Sequence, residues 1–457
     1  MKKFKLILAF FFIQAIAFSQ GPADKWFFGV NAGVDFSSGI PAALTYGAIN
    51  TPEGCAAICD NAGGLLFYTD GITVWNKNSQ VMPNGTGLTG GSSSTQAALI
   101  VPQTGSLNLY YIFTTDEIGG GNGCRYSIVD MNLQGGMGDI TASKNILVLN
   151  NVTEKLTAVQ ELTGSNYKIA IHEWGSDAFY VYTLTSSGFQ ITPVISNVGI
   201  VHTTSQIQNT YGQMKFSPCG DKIALAAGYL NTVEIFDFDD LTGVVSNAIT
   251  LPMPDHVYGL EFSPDGRFLY VSTYDVAGTL LQFDLSSGNA VTILASKAVL
   301  SVTPDTYAIQ LAPDGKIYTC KSFSYYLGVI NDPSISGTGC NYTENGLLLD
   351  PNFLITSALG LPAFVQSFFR SENLCPLLGI EPINAGDETF IFPNLATSTI
   401  NINLDKKENI IIFNLLGETI MEKNFNAQGK FELDISSLPS GIYFIKAGSQ
   451  VGKFVKE

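Results

Sequence analysis

Short apolar runs dominate the chain, and most of them break at Gly, Pro, Asn or Asp within a few residues. That pattern predicts strands and turns, because windows with a helical period are interrupted by Gly or Thr. Three segments, residues 214–225, 260–271 and 309–318, share one plan: a strand, a tight turn and a second strand. Their turns read Ser217-Pro218-Cys219-Gly220, Ser263-Pro264-Asp265-Gly266 and Ala312-Pro313-Asp314-Gly315. Pro presets φ, Asp bonds back to the backbone and Gly accepts positive φ, so each is a hairpin turn. Phe216, Phe262 and Leu311 hold equivalent places, 46 and 49 residues apart. That spacing suits one four-stranded propeller blade, as in WD40-like repeats.

Weaker copies of the plan begin near Cys55, Ala97 and Ala158, which brings the count to six units. A seventh is predicted in two halves. Residues 362–369 read as a first strand with no hairpin after it, and residues 25–29 and 33–36 read as second and third strands with no first. Joining the halves would close a ring and remove two exposed sheet edges. The predicted fold class is all-β: a seven-bladed β-propeller closed by its N- and C-terminal strands, followed by a small C-terminal β-sandwich.

The ends of the chain set its organisation. Lys2, Lys3 and Lys5 precede an apolar run to Phe18, with Ala17 and Ser19 at the positions a signal peptidase reads. This predicts a cleaved signal peptide over residues 1–19, since the run is too short to span a bilayer. No later stretch predicts a transmembrane segment. Residues 20–375 then form the propeller, 376–386 a linker rich in Pro, Gly and Asn, and 387–457 the sandwich, where Thr399 to Leu404 alternates strictly.

Only 14% of residues are charged, against about 25% in average soluble proteins. Sheets buried on both faces would explain the deficit. Formal net charge is −16, which argues against nucleic acid as a partner. Seven cysteines in an exported chain can pair, but an odd number leaves one over. Cys55 and Cys59 sit too far apart along one strand to bridge and read as core residues, whereas Cys320 and Cys340 are candidates for a disulfide.

Two resemblances to known families follow. The C-terminal module has Pro393, Asn394 and Ala396 in a Pro-Asn-x-Ala segment, an Asn-Leu-Leu-Gly turn ending at Gly417, and an Asp-Ile-Ser-Ser-Leu-Pro-Ser-Gly-Ile-Tyr run containing Pro439 and Gly441. Lys453 and Lys456 make the last strand basic, while Leu395 stands where a second Pro is common. The module resembles the type A C-terminal sorting domain of the Bacteroidetes type IX secretion system. The resemblance implies passage through the periplasm, the secretion machinery as a partner, and release or display at the outer cell surface. The body resembles a Bacteroidetes family of secreted propellers, through Lys25-Trp26-Phe27-Phe28-Gly29, Glu53-Gly54-Cys55, residues 66–76 and Ile171-His172-Glu173-Trp174. That resemblance implies fold and location, not an activity.

Candidate chemistry is sparse. No nucleophile elbow, zincin helix or Walker loop is present. His172 and Glu173 are adjacent, but neighbouring strand residues point to opposite faces, so packing is the simpler reading. Asp70 and Asp116 end the second strand of two units. They are candidates for Ca²⁺ or a sugar hydroxyl, and equally for turn caps. Trp75 could stack on a sugar or pack between sheets. Catalytic residues are not identifiable, and no cofactor is expected, Ca²⁺ excepted. The reading favoured by the scarcity of His and Arg is a non-catalytic binding or adhesion module for a glycan or protein. The alternative is a polysaccharide hydrolase or lyase using carboxylates at the propeller channel.

Overall fold

The computed structural model describes residues 21–457 except 275–277, 303–305, 372–373, 376–390, 394, 405–406, 415–417 and 448–449. The expected signal peptide and linker lie outside the described residues. The chain divides into two compact units, Met1–Leu377 and Leu378–Glu457.

The first unit is all-β and consists of successive antiparallel meanders, an arrangement consistent with a propeller. Sheet one holds Lys25–Phe28, Ala32–Asp35 and Ala42–Leu44. Sheet two runs Ala56–Cys59, Leu65–Thr69, Thr73–Asn76 and Val81–Thr86. Sheet three begins Ala98–Pro102, Leu109–Thr115 and Cys124–Asp130, and the last of these pairs with both Asp139–Ile140 and Ile146–Leu149. Sheets four to seven start with Val152–Gln160, Met214–Phe216, His256–Phe262 and Thr306–Leu311, each followed by three more strands in order.

Burial falls from the first strand of a sheet to the last. Val152–Gln160 is buried at every position but the final one, whereas Gly188–Asn197, the outer strand of the same sheet, is mostly exposed or half-buried. The inner strands therefore carry apolar residues on both faces, which is the physical source of the charge deficit. The three predicted hairpin turns are present. Gly220, Gly266 and Gly315 adopt φ of 78°, 69° and 76°, and their N–H groups donate to the carbonyls of Ser217, Ser263 and Ala312.

Aromatic contacts join neighbouring sheets. Phe67 meets Tyr110 at 5.6 Å between sheets two and three, and Phe179 meets Phe236 at 4.8 Å between four and five. Sheet one packs on both sides: Phe27 stacks on Tyr68 of sheet two at 4.3 Å, and Trp26 meets Tyr318 of sheet seven at 5.7 Å. The fully buried Trp26 keeps its indole N–H satisfied by the Ala23 carbonyl at 2.9 Å.

Two expectations need correction. Residues 362–369 do not add a first strand to sheet one. Pro362 makes a lone parallel bridge with Cys55, Ala363 donates to the Cys55 carbonyl, and Gln366–Phe369 turns into a 3-10 helix. Pro362 has no N–H to offer a ladder, and Phe364 instead packs its ring on Trp26 at 5.8 Å. Cys320 and Cys340 do not bridge; both are free and buried. The Cys320 thiol points at the Leu359 carbonyl, 3.1 Å away, and Cys340 neighbours Tyr270. The disulfide that does form joins Cys219 to Cys375, with Cα atoms 5.2 Å apart. It ties the sheet-five hairpin turn to the end of the first unit.

The second unit is a sandwich of a three-stranded sheet (Ile391–Phe392, Thr399–Leu404, Gly429–Asp434) and a five-stranded sheet (Leu395–Ala396, Gln450–Lys456, Gly441–Ala447, Glu408–Asn414, Thr419–Phe425). Ile400, Ile402, Ile412, Ile445 and Phe454 are fully buried between them.

Candidate functional site

The first strand of each sheet has one edge without a neighbouring strand, and its N–H groups need acceptors. Buried glutamines supply them. Gln96 Oε1 accepts from Leu156 N at 3.2 Å and Met214 N at 2.8 Å, linking sheets three, four and five. Gln213 Oε1 accepts from Leu260 N at 3.1 Å and Ile309 N at 3.2 Å, linking five, six and seven. Beside them the Lys215 ammonium pairs with Glu261 at 3.0 Å and donates to Gln310 Oε1. The axis of the inner strands is thus a polar, satisfied plug with two ends.

At the end where the first strands begin, carboxylates from three sheets converge. Glu154 Oε2 accepts from Thr95 N at 2.8 Å and Thr95 Oγ1 at 2.7 Å, and its Oε1 from Ile118 N at 2.8 Å and Thr210 Oγ1 at 3.3 Å. Glu117 Oε2 accepts from Ser93 N at 2.7 Å. Lys155, buried next to Glu154, donates to the carbonyls of Thr210 and Tyr211 at 2.8 and 2.7 Å. Burial pushes this ammonium down to about 7, with Glu154 opposing. Glu53 is only 8% exposed. Burial first, and then the Glu154 charge, push its carboxyl up to about 8, so it holds a proton at neutral pH. Tyr258 stands beside it, and beyond Tyr258 lie Tyr307 at 5.3 Å and Tyr274 at 6.0 Å.

At the opposite end, where the hairpin turns lie, a groove of about 660 Å³ opens. Tyr110, Tyr167 and Phe368 line it together with Gln103, Gln160 and Asp60. Burial pushes both phenols up to about 12. A second groove, of about 500 Å³, has Asp24, Phe369 and Arg370 in its wall. The Arg370 guanidinium is spent on the Gln160 and Pro218 carbonyls, at 2.7 and 3.2 Å.

None of the residues singled out from sequence is among the converging carboxylates or in the groove wall, although Asp116 and His172 flank the first end through Glu117 and Lys155. Asp70 Oδ1 accepts from Ile72 N at 2.9 Å and Thr73 N at 2.7 Å. Asp116 accepts from Glu117 N at 3.0 Å and Asn122 N at 2.9 Å. Both are turn caps. Trp75 is buried and stacked on Tyr68 at 5.5 Å. His172 is buried against His202, ring centroids 4.3 Å apart, and burial with the nearby Lys155 charge pushes it down to about 3. Glu173 is half-buried, near Tyr180. Among the described residues no group of three or more His, Cys, Asp or Glu could hold a metal ion.

In the second unit Ala396 is buried and its carbonyl accepts from Glu457 N at 3.0 Å. The Pro439 carbonyl accepts from Tyr443 Oη at 2.9 Å, Gly441 opens a strand, Pro393 and Lys453 are exposed, and Lys456 is buried. Asn394 and Gly417 lie outside the described residues. Sequence reasoning did not assign Glu53, Glu117 and Glu154 to one place. The one available signal was a polar residue at the start of successive first strands (Glu53, Gln96, Glu154, Gln213).

Comparison with known proteins fixes the destination of the chain. Curated proteins gave no match. Solved structures gave similar chains, among them a proposed 6-phosphogluconolactonase from Bacteroides uniformis (14% identity, 74% of this chain and 98% of that one, TM-score 0.47). Others are a Lactobacillus plantarum protein (14%, 74% and 99%, TM-score 0.46) and Kuenenia stuttgartiensis hydrazine synthase (12%, 78% and 91%, TM-score 0.41). None is similar enough to transfer a residue role. Residues 390–457 match the secretion system C-terminal sorting domain. No helix among the described residues is long and apolar enough to cross a membrane. The chain is exported through the type IX system to the cell surface or released beyond it.

Proposed function

We propose that the exported body is a closed seven-bladed β-propeller that works as a non-catalytic binding module, taking a glycan in the groove on its turn face. Closure is supported by sheet one packing against both sheet two and sheet seven. The observation that carries the binding reading is the groove. At about 660 Å³ it falls within the range of small-ligand sites, roughly 300–1,000 Å³. Its wall combines aromatic faces, which stack on sugar rings, with amides and one carboxylate, which suit hydroxyls. The Asp70 and Asp116 carboxylates are engaged by turn N–H groups, so Ca²⁺ is a variable of the test and not a required cofactor.

A glycan screen on the mature chain, with and without Ca²⁺, tests this. Gln103→Ala and Tyr167→Ala should each weaken a binding glycan at least tenfold. Absence of any binding, or binding indifferent to both changes, would overturn the groove assignment.

One observation favours a second reading, a polysaccharide hydrolase at the opposite end. Glu53 keeps its proton at neutral pH, as a general acid must, and a second carboxyl group, Glu117, lies near enough to act on it. Release of reducing ends by the wild type, lost in Glu53→Gln, would establish it. Against it, Glu154 has four donors and Glu117 is bonded to Ser93, so two of the three carboxylates already serve the fold.

A further inference from the structure

We propose that the rim where the first strands begin, built by Glu53, Glu117, Tyr211 and Tyr258, binds an organic ammonium cation. This rests on neither reading above, since it concerns a different ligand from the groove and requires no bond to be broken. The hydrogen bonds bring the rim together. Gly54 N donates to the Ser94 carbonyl, Thr95 and Thr210 are both held by Glu154, and Gln213 N donates to the Tyr258 carbonyl. Glu53, Thr95, Tyr211 and Tyr258 are thereby gathered at one place, although 53 and 258 lie far apart in sequence; Glu53, Thr95 and Tyr258 are buried there, and Glu117 and Tyr211 are half-buried.

Three features of the rim select a cation of this kind. It is acidic: Glu154 and Glu117 both act electrostatically on Glu53, and the Lys155 ammonium nearby, under the influence of Glu154, is bonded to two carbonyls. It contains a buried hydroxyl without a hydrogen bond of normal geometry. Tyr258 is 3% exposed and its Oη lies beside Glu53 and Thr95. It is also aromatic, with Tyr211 close to the carboxylates, Tyr274 and Tyr307 behind Tyr258, and Tyr229 stacked on His256 at 3.9 Å.

A compact divalent ion needs several oxygen ligands at about 2.3–2.6 Å. The described carboxylates are not grouped closely enough to hold one. An alkylammonium group spreads its charge over a larger radius and gains from ring faces as well as from carboxylates. Entry of the cation would drive the proton off Glu53, so affinity should climb as pH rises and level off above about 8. The groups acting on Glu53 are the carboxyls of Glu154 and Glu117 and the Tyr258 phenol, which burial holds far above this range. Lys155 beside Glu154, pushed down to about 7, loses its charge over the same pH span, so the Glu53→Gln comparison is what assigns the rise to Glu53.

The test is calorimetry on the mature full-length chain with choline and its uncharged isostere 3,3-dimethylbutan-1-ol. Choline should bind at least tenfold more tightly than the alcohol. Glu53→Gln and Glu117→Gln should each weaken choline at least fivefold while keeping the wild-type melting temperature. The rise with pH should be present in the wild type and flattened in Glu53→Gln. If Glu53→Gln fails to fold, Glu117→Gln carries the test. Equal affinity for the two probes, no choline binding, or full affinity in a folded Glu117→Gln variant would overturn the proposal. Tyr167→Ala, in the glycan groove, should leave choline binding unchanged, so either idea can fail alone.

Discussion

Lys215 and Glu261 form a salt bridge of 3.0 Å with both side chains out of solvent, at 1% and 0% exposure. Burial pushes the ammonium down and the carboxyl up, so each depends on the other to stay charged. Glu261 also accepts from Leu311 N and Phe262 N, each at 3.0 Å, which makes the pair a clasp between sheets five, six and seven. Removing one partner leaves a buried charge alone, at a cost of about 3–5 kcal/mol. Glu261→Gln or Lys215→Met should lower stability by that amount in urea unfolding. The double variant should recover most of it; additive losses would show that the two do not act as a pair.

The Cys219–Cys375 disulfide, with a sequence separation of 156, locks the end of the first unit to a turn of sheet five. Cross-linking so long a loop restrains the unfolded chain by up to about 5 kcal/mol. Cys375→Ser should therefore lower the melting temperature without altering the glycan groove. Alkylation of the unfolded, unreduced protein should label five cysteines, Cys55, Cys59, Cys124, Cys320 and Cys340. Labelling of Cys219 or Cys375 there would disprove the pairing.

Acid should destabilise the first unit through its paired histidines. Burial pushes His172 down from 6.5 to about 3, and His202 well below its ordinary value. The unfolded chain takes up these protons below about 6.5 and the native chain does not, so the stability they confer is full above that pH and is lost as pH falls. Each contributes ~1.4 kcal/mol per pH unit. Glu53 acts with the opposite sign. Raised from 4.5 to about 8, it favours the native state at low pH, and that contribution disappears as pH rises through about 8. Other buried or half-buried carboxyls, Glu154, Glu234 and Asp70 among them, are raised as well and act in the same sense as Glu53. In melts from pH 7 to 5, His172→Gln should therefore lose less stability than the wild type, by up to about 1.4 kcal/mol per pH unit. An unchanged slope would refute the assignment.

What was legible in the sequence was local. The Ser/Ala-Pro-Asp-Gly turns carry their own chemistry, so hairpins at Gly220, Gly266 and Gly315 could be read without a partner. The alternation of His172 and Glu173 was legible for the same reason. The non-local features were not. Cys219 stands where the sister turns have Asp, yet nothing near it names Cys375. Residues 362–369 look like their counterparts at 306–310, but Pro362 and the packing of Phe364 on Trp26 take them out of the sheet. Asp70 and Asp116 looked like candidate ligands because they recur, and they recur because the turn needs a cap. Glu53, Glu117 and Glu154 lie on three sheets, and only the folded axis gathers them.

The sorting unit offers the most direct test of export. Its core, from Ile400 to Phe454, is its own, and the body is a separate compact unit. Deleting residues 387–457 should therefore leave a folded body that still melts cooperatively and still carries the Cys219–Cys375 bond. It should accumulate in the periplasm, because nothing then addresses it to the outer-membrane step. Ile445→Asp should have the same effect by another route. This side chain is fully buried between the two sheets, and an unpaired carboxylate there would cost several kcal/mol. Cell fractionation with an antibody to the body reads both outcomes. Normal secretion of the deleted chain would mean that residues 390–457 are not what carries the protein out.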